Sequence, residues 1–325
     1  MITLYQLHWS HYVEKVRWAL DYKGVEWCAV DVDPFTKREM QHLKCKTTLD
    51  SGARLFTVPT ITDQATGAVV GESTEILEYL ERTYPSPALY PSSAPEREAV
   101  SRWIVWLDSV LGLAARRLAY TQIALECPGL LAELFLPKLI AAGEGQKLKA
   151  RLAGSIIAGV LAQRFRFLHN RDDRIFEQVE HCLLSAAARL DDHRYLVGDQ
   201  FTAADLTLAA LLRPVLLVPF IQRHSRLQRL FEWRTALLRE HHRELQVRYE
   251  AVIDEVRRRR GWALGEAPWL TTSKQGEESV LADAPIAAPA VRNDQQRVSR
   301  WPVLTGPVWY WRLASTCGLG RTSYP

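Results

Sequence analysis

The sequence predicts a small mixed α/β unit joined by a proline-rich linker to an all-helical domain. Three observations carry this expectation. Short apolar runs alternate with helical periodicity over residues 1–84. Residues 84–95 (YPSPALYPSSAP) then place four prolines in a dozen positions, as a linker does. Beyond them the pattern is helical to about Gly261, with no strand.

The bulk properties fit that layout. A chain of 325 residues accommodates two domains, and a hydrophobic fraction of 47% is enough for ordinary cores. The formal net charge of +4 is too small to point to a nucleic-acid partner. Cys28, Cys45, Cys127, Cys182 and Cys317 are scattered, with no C-x-x-C pair. This odd set and the lack of a signal-peptide pattern predict a cytoplasmic location. No metal site is expected. The longest apolar run, residues 206–221, is interrupted by Arg213, Pro214 and Pro219. It reads as a buried core helix and not as a membrane span.

Residues 2–5 read as a buried strand. From Tyr12 the positions Tyr12, Val13, Val16, Ala19 and Leu20 keep helical spacing, with Glu14, Lys15, Arg17 and Asp21 between them. Gly24 is the expected stop. Ser10 therefore lies in a strand-to-helix turn beside free N–H groups and the positive end of a helix dipole, a place suited to an anion or a thiolate. The plainer reading makes Ser10 a helix cap. Tyr12 offers a second hydroxyl, and His8 and His11 read as turn residues.

Further along, residues 25–32 predict a strand, 35–43 a short helix and 44–55 a loop. Residues 56–62 and 68–71 predict two strands joined by a turn, and 73–83 a helix with Ile76, Leu77 and Leu80 on one face. Ser73 reads as the N-cap of that helix. The helical domain spans residues 96–262, with helices over 96–119, 130–142, 147–169, 172–191, 203–217 and, with breaks, 225–260. Residues 129–173 read as an extended basic insertion or an extended helical hairpin that includes Lys138, Lys147, Lys149, Arg151, Arg164, Arg166 and Arg171. Such a stretch is a solvated helix face or a membrane-surface contact. Arg257 to Arg260 read as the charged end of a last helix. Residues 263–325, with Trp301, Trp309 and Trp311, lose periodicity and predict a disordered tail.

Four motifs stand in order: S-H-Y-V-E-K-V-R-W-A-L (residues 10–20), V-P-T-I (58–61), E-S-T-E-I (72–76) and F-T-A-A-D (201–205). With the layout they resemble the cytosolic glutathione S-transferase family, of the Ser-type and bacterial-like, over roughly residues 1–262. The resemblance implies a thioredoxin-like N-terminal domain (1–84), a linker (85–95) and an all-α C-terminal domain. It implies that Ser10 stabilises the thiolate of bound glutathione, the co-substrate. Val58 would pair with the cysteinyl backbone beside a cis bond to Pro59. Glu72 and Ser73 would hold the γ-glutamyl end, and Lys44, Lys46 or Arg54 the glycyl carboxylate. Thr202, Asp205 and Phe201 would cap and staple a central helix. No cysteine occupies the Ser10 position, which disfavours disulfide exchange. The implied reaction is attack on a small apolar electrophile by a homodimeric enzyme. Dehalogenation, ether cleavage, peroxidase chemistry and a non-catalytic binding or scaffold role share the same site residues.

Overall fold

The computed structural model describes residues 1–43, 47–48, 54–126, 128–135, 147–165, 173–218, 221 and 224–241. The basic side chains singled out between residues 138 and 171, Lys44, Lys46, residues 257–260 and the tail fall outside what is described.

The first domain is a four-stranded mixed sheet of order β2-β1-β5-β6. β1 (Ile2–Gln6) lies parallel to β2 (Trp27–Asp31) and antiparallel to β5 (Thr60–Asp63), which pairs antiparallel with β6 (Val69–Gly71). Ile2 and Leu4 are fully buried, because an interior strand is covered on both faces. The parallel crossover is α1 (His11–Tyr22), which ends at Lys23 followed by Gly24 at φ +62°. That left-handed position is one glycine adopts without steric cost. β5 starts at Thr60, later than the expected residue 56, because Pro59 has no N–H for the ladder. α2 (Ser73–Thr83) is tied to the sheet through Asp63 Oδ2, which accepts from the Tyr79 and Tyr84 hydroxyls at 2.7 Å each.

Two local expectations are corrected. Residues 35–43 form no α-helix, only a 3₁₀ turn at Arg38–Met40. Asp33 Oδ1 takes the N–H groups of Phe35 and Thr36 and the Thr36 hydroxyl, and Lys37 sits at φ +51°. That side-chain turn replaces the first helical turn. The stretch expected to be a loop contains a short antiparallel pair, β3 (Thr47–Thr48) with β4 (Arg54–Leu55).

The linker is anchored. Lys23 Nζ donates to Glu81 Oε2 (2.7 Å) and to the carbonyls of Tyr84 (2.8 Å) and Pro87 (3.0 Å), while Leu89 is fully buried. In the helical region the single helix expected over 96–119 is interrupted. α3 (Ala94–Trp106) passes through a π-helical segment, Leu107–Gly112, into α4 (Leu113–Glu126). α5 (Pro128–Phe135) and α6 (Lys147–Phe165) pair as a hairpin around Leu131, Phe135, Ile157 and Leu161. α7 (Asp173–Asp191) and the wholly buried α8 (Ala203–Leu211) follow. Pro214 converts the rest of the expected helix over 203–217 to a 3₁₀ turn at Arg213–Leu217. A last described helix, α9 (Gln228–His241), packs beside α7. No helix among the described residues is long and apolar enough to cross a membrane.

The F-T-A-A-D motif does more than cap α8. Asp205 Oδ2 accepts from Thr202 N (2.9 Å) and Thr202 Oγ1 (2.7 Å), and its Oδ1 from Leu196 N (2.8 Å). Phe201 packs on Tyr22 of α1, with ring centroids 5.0 Å apart. The core is therefore continuous from the sheet through α1 into α8.

Candidate functional site

Strand register brings three of the sequence motifs to one edge. Tyr5 of β1 pairs with Thr60 of β5, and Thr60 pairs with Gly71 of β6. The residues just past these partners, the turn at 7–10, the Val58–Pro59 pair and Glu72–Ser73, must then emerge together at the same end of the sheet. The Val58–Pro59 bond is cis.

Ser10 is the N-cap of α1, which starts at His11, one residue before the expected Tyr12. Its backbone is extended (φ −74°, ψ 125°), and its carbonyl accepts from Glu14 N at 3.0 Å. Its hydroxyl makes no capping hydrogen bond. Ser10 is half-buried at the dipole-positive end of a twelve-residue helix.

At the third segment the cap is Glu72, not the expected Ser73. The Glu72 carboxylate accepts from Thr74 N (3.0 Å) and Glu75 N (3.3 Å), and the Ser73 hydroxyl donates to it at 3.3 Å. Its backbone holds φ +73°, a conformation that costs a non-glycine residue about 1–3 kcal/mol and clusters at ligand sites. Ser73, at the first helical position, is buried. A carboxylate has about four acceptor positions, so Glu72 retains capacity for a further donor. Arg54 is placed in β4 by its backbone alone.

The residues between the apolar positions of α1 are not a solvated face. Glu14, Lys15 and Arg17 are all buried, because α1 is sandwiched between the sheet and the second domain. Lys15 Nζ donates to Asp108 Oδ2 (2.8 Å) and Thr74 Oγ1 (2.9 Å), and Thr74 Oγ1 donates to the same Asp108 oxygen. Glu14 is clasped by Arg213 and Arg234. His11 Nε2 meets the Gly112 carbonyl at 2.9 Å, and a carbonyl only accepts, so Nε2 carries the proton. Burial, reinforced by the Arg116 charge, lowers the His11 pKa to about 3. The imidazole is therefore neutral at physiological pH. The Tyr12 hydroxyl donates to the Asp108 carbonyl at 3.4 Å, and burial together with Asp108 raises its pKa. Tyr12 is thus engaged by the second domain as a neutral phenol. Beside Ser10, Trp9 packs on Phe135 with centroids 5.0 Å apart, and Phe135 in turn approaches Phe35 and Tyr120 at 6.1 Å each. These rings form an aromatic wall that begins at the residue before Ser10.

The edge combines the Ser10 hydroxyl, which makes no capping bond at its helix N-terminus, with a second helix N-terminus at Ser73. A helix N-terminus attracts negative charge, so the edge is suited to an anionic group beside Ser10. Among the described residues no group of three or more His, Cys, Asp or Glu side chains is placed to hold a metal ion.

Residues 4–88 match the model of the glutathione S-transferase N-terminal domain, and residues 169–246 match that of the C-terminal domain. The chain belongs to the glutathione S-transferase family. Comparison with curated protein sequences returns no match. Among solved structures, a glutathione transferase of Bombyx mori aligns at TM-score 0.50 and 16% identity, covering 78% of this chain and 97% of that one. A glutathione S-transferase of Rhodospirillum rubrum F11 aligns at TM-score 0.46 and 23% identity, covering 73% and 88%. A theta-class glutathione S-transferase of Xanthomonas axonopodis pv. citri aligns at TM-score 0.44 and 22% identity, covering 81% and 99%. At these identities the likeness is one of fold.

Within this glutathione S-transferase fold, sequence reasoning missed Lys15, Asp108 and Thr74, and the Glu14–Arg213–Arg234 group. Lys15 and Glu14 occupy positions that read as solvent-facing. Their partners lie about a hundred residues away or more, except Thr74, and only packing of the two domains joins them.

Proposed function

We propose that this protein is a glutathione S-transferase in which the glutathione thiolate, stabilised by Ser10, attacks an electrophilic carbon of a small apolar acceptor. The observation that carries the reading is the Ser10 hydroxyl, which makes no capping bond, at the N-terminus of α1 on the same edge as Val58–Pro59 and Glu72–Ser73. Two of the solved relatives, from Xanthomonas axonopodis pv. citri and Methylobacterium radiotolerans, carry glutathione and glutathione sulfonate respectively. Ser73 would bind the γ-glutamyl carboxylate, Glu72 the ammonium group, and Val58 the cysteinyl backbone. Arg54 and Lys44 are the candidates for the glycyl carboxylate.

The energetics are sufficient. A free thiol of this kind ionises near pH 8.5. Lowering its pKa by two units requires roughly 2.7 kcal/mol of preferential thiolate stabilisation. A hydrogen bond from the Ser10 hydroxyl to a charged sulfur contributes about 1.5–3 kcal/mol, and the helix N-terminus about 0.3–1 kcal/mol. In the reaction the sulfur lone pair forms the C–S bond, and the leaving group departs with the electrons of the bond it breaks. The acceptor would rest against the aromatic wall of Trp9 and Phe135. Dehalogenation and ether cleavage differ only in the leaving group. A homodimer completes the reading, and Val105 and Leu113 supply exposed apolar surface along α3 and α4.

The test is calorimetric binding of glutathione, with thiolate absorbance followed against pH, for wild type and Ser10→Ala. The expected result is binding with a bound-thiol pKa well below 8.5, returned towards the free value in Ser10→Ala. Binding with an unshifted thiol in the wild type would overturn the catalytic reading and leave a binding module.

A further inference from the structure

The π segment between α3 and α4 has a specific relation to the candidate nucleophile site. In an i→i+5 turn the carbonyl groups fall out of the regular α-helical pattern, and such turns are frequent at functional sites. Here two of these carbonyls are met by consecutive residues of the other domain. Gly112 O accepts from His11 Nε2 at 2.9 Å, and Asp108 O from the Tyr12 hydroxyl at 3.4 Å. His11 and Tyr12 are the first two residues of α1, directly after Ser10. Their rings also pack on each other, with centroids 4.4 Å apart.

The fit leaves no slack. A Cβ on Gly112 would lie 2.2 Å from Tyr12 Oη and 2.8 Å from Tyr12 Cζ, so the absence of a side chain at residue 112 lets the first turn of α1 seat against the π segment. Ser10 makes no capping bond of its own. Its backbone is held from both sides, Ser10 N donating to Leu7 O at 2.9 Å and Ser10 O accepting from Glu14 N at 3.0 Å, so the seating of the first turn of α1 enters into where the hydroxyl lies.

We propose that His11 and Tyr12 are positioning residues that clamp the first turn of α1 to the π segment of the helical domain and so fix the Ser10 hydroxyl relative to the glutathione sulfur. The role rests on the function proposed above and adds to it a dependence of thiol activation on the second domain. His11 acts through its Nε2–H donor and Tyr12 through its hydroxyl; neither touches the sulfur. Loss of either contact lets the α1 N-terminus shift, and a displaced hydroxyl stabilises the thiolate less.

The test measures the ionisation midpoint of enzyme-bound glutathione by thiolate absorbance in wild type, His11→Leu, His11→Gln and Tyr12→Phe. Binding of S-methylglutathione, which has no thiol to ionise, is measured alongside by calorimetry. His11→Leu is expected to raise the midpoint by about one pH unit, a tenfold loss of thiolate preference. S-methylglutathione should bind within twofold of wild type, and His11→Gln, which keeps a donor, should restore the midpoint. In a Ser10→Ala background His11→Leu should shift nothing further. An unchanged midpoint in His11→Leu and Tyr12→Phe would overturn the proposal, as would a loss of S-methylglutathione binding in step with the midpoint. Should His11→Leu fail to fold, Tyr12→Phe, which removes one hydroxyl, decides alone. Wild-type protein that binds no glutathione would overturn the proposed function itself, and the positioning role with it.

Discussion

Glu14 Oε1 and Arg234 Nη2 lie 3.0 Å apart although 220 positions separate them in the chain. Arg213 Nη1 holds the other carboxylate oxygen at 2.9 Å, and all three side chains are buried. Arg234 is further fixed by its Nε donating to Ala209 O at 2.7 Å. One carboxylate thus bridges two guanidinium groups where α1 meets α9 and the 3₁₀ turn after α8. Removing one member of a buried ionic group leaves uncompensated charge, typically at a cost of 3–5 kcal/mol. Glu14→Ala should therefore lose about 3–5 kcal/mol in chemical denaturation. A loss below about 1 kcal/mol, within the range of an exposed pair, would show that the group does not hold the domains together.

His11 makes stability depend on pH in a definite direction. Its pKa is near 3 in the fold and 6.5 as a free side chain. The unfolded chain therefore binds more protons between these values, so the stability from a neutral His11 is full above pH 6.5 and declines as the pH falls towards 3. The slope approaches about 1.4 kcal/mol per pH unit. His11→Gln should lose less stability than wild type between pH 7 and pH 5 by urea titration. Parallel losses in the two proteins would contradict a buried neutral imidazole.

Asp205 acts in the opposite sense. Burial raises its pKa from 3.8 to about 6 despite the N–H and O–H groups that donate to it. Here the folded state binds more protons, so the contribution is full below pH 3.8 and is lost as the pH rises through about 6. Relative to Asp205→Asn, wild type should become less stable by up to about 3 kcal/mol over that window. The asparagine also points N–H groups at the Thr202 donors, so its stability should be lower at neutral pH. Differential scanning calorimetry at pH 4 and pH 7 separates the two effects.

Gly112→Ala should cost about 1–3 kcal/mol, the usual range for overpacking, because the added methyl meets the Tyr12 ring. Combining it with Tyr12→Leu should recover part of that loss, giving a coupling energy measurable in a double-mutant cycle. Strict additivity of the two substitutions would show that the close approach is relieved elsewhere.

The local elements were legible in the sequence where one physical signal dominated. Gly24 marked the end of α1, the apolar run of α8 marked a buried helix, and the four motifs marked the family. Boundaries were lost where side chains compete with the backbone. Asp33 replaced a helix over residues 35–43 with a hydrogen-bonded turn, and Glu72 took the capping role assigned to Ser73. The π segment left no mark, because i→i+5 bonding arises from packing rather than from the propensities of L-D-S-V-L-G.

The sequence by itself determined the succession of a small α/β unit and a helical domain, the strand-to-helix turn at Ser10, and the family. These rest on nearest-neighbour chemistry such as periodicity, missing N–H groups and chain reversal. Only the tertiary structure decided what happens to the polar residues of α1. In the chain Glu14 and Lys15 look solvent-facing, His11 reads as a turn residue and Tyr12 as one position of the apolar face. Each is fixed by a partner from the helical domain that α1 meets only after folding. Periodicity records how many faces of a helix are apolar, whereas domain packing determines which polar face is buried and what neutralises it there.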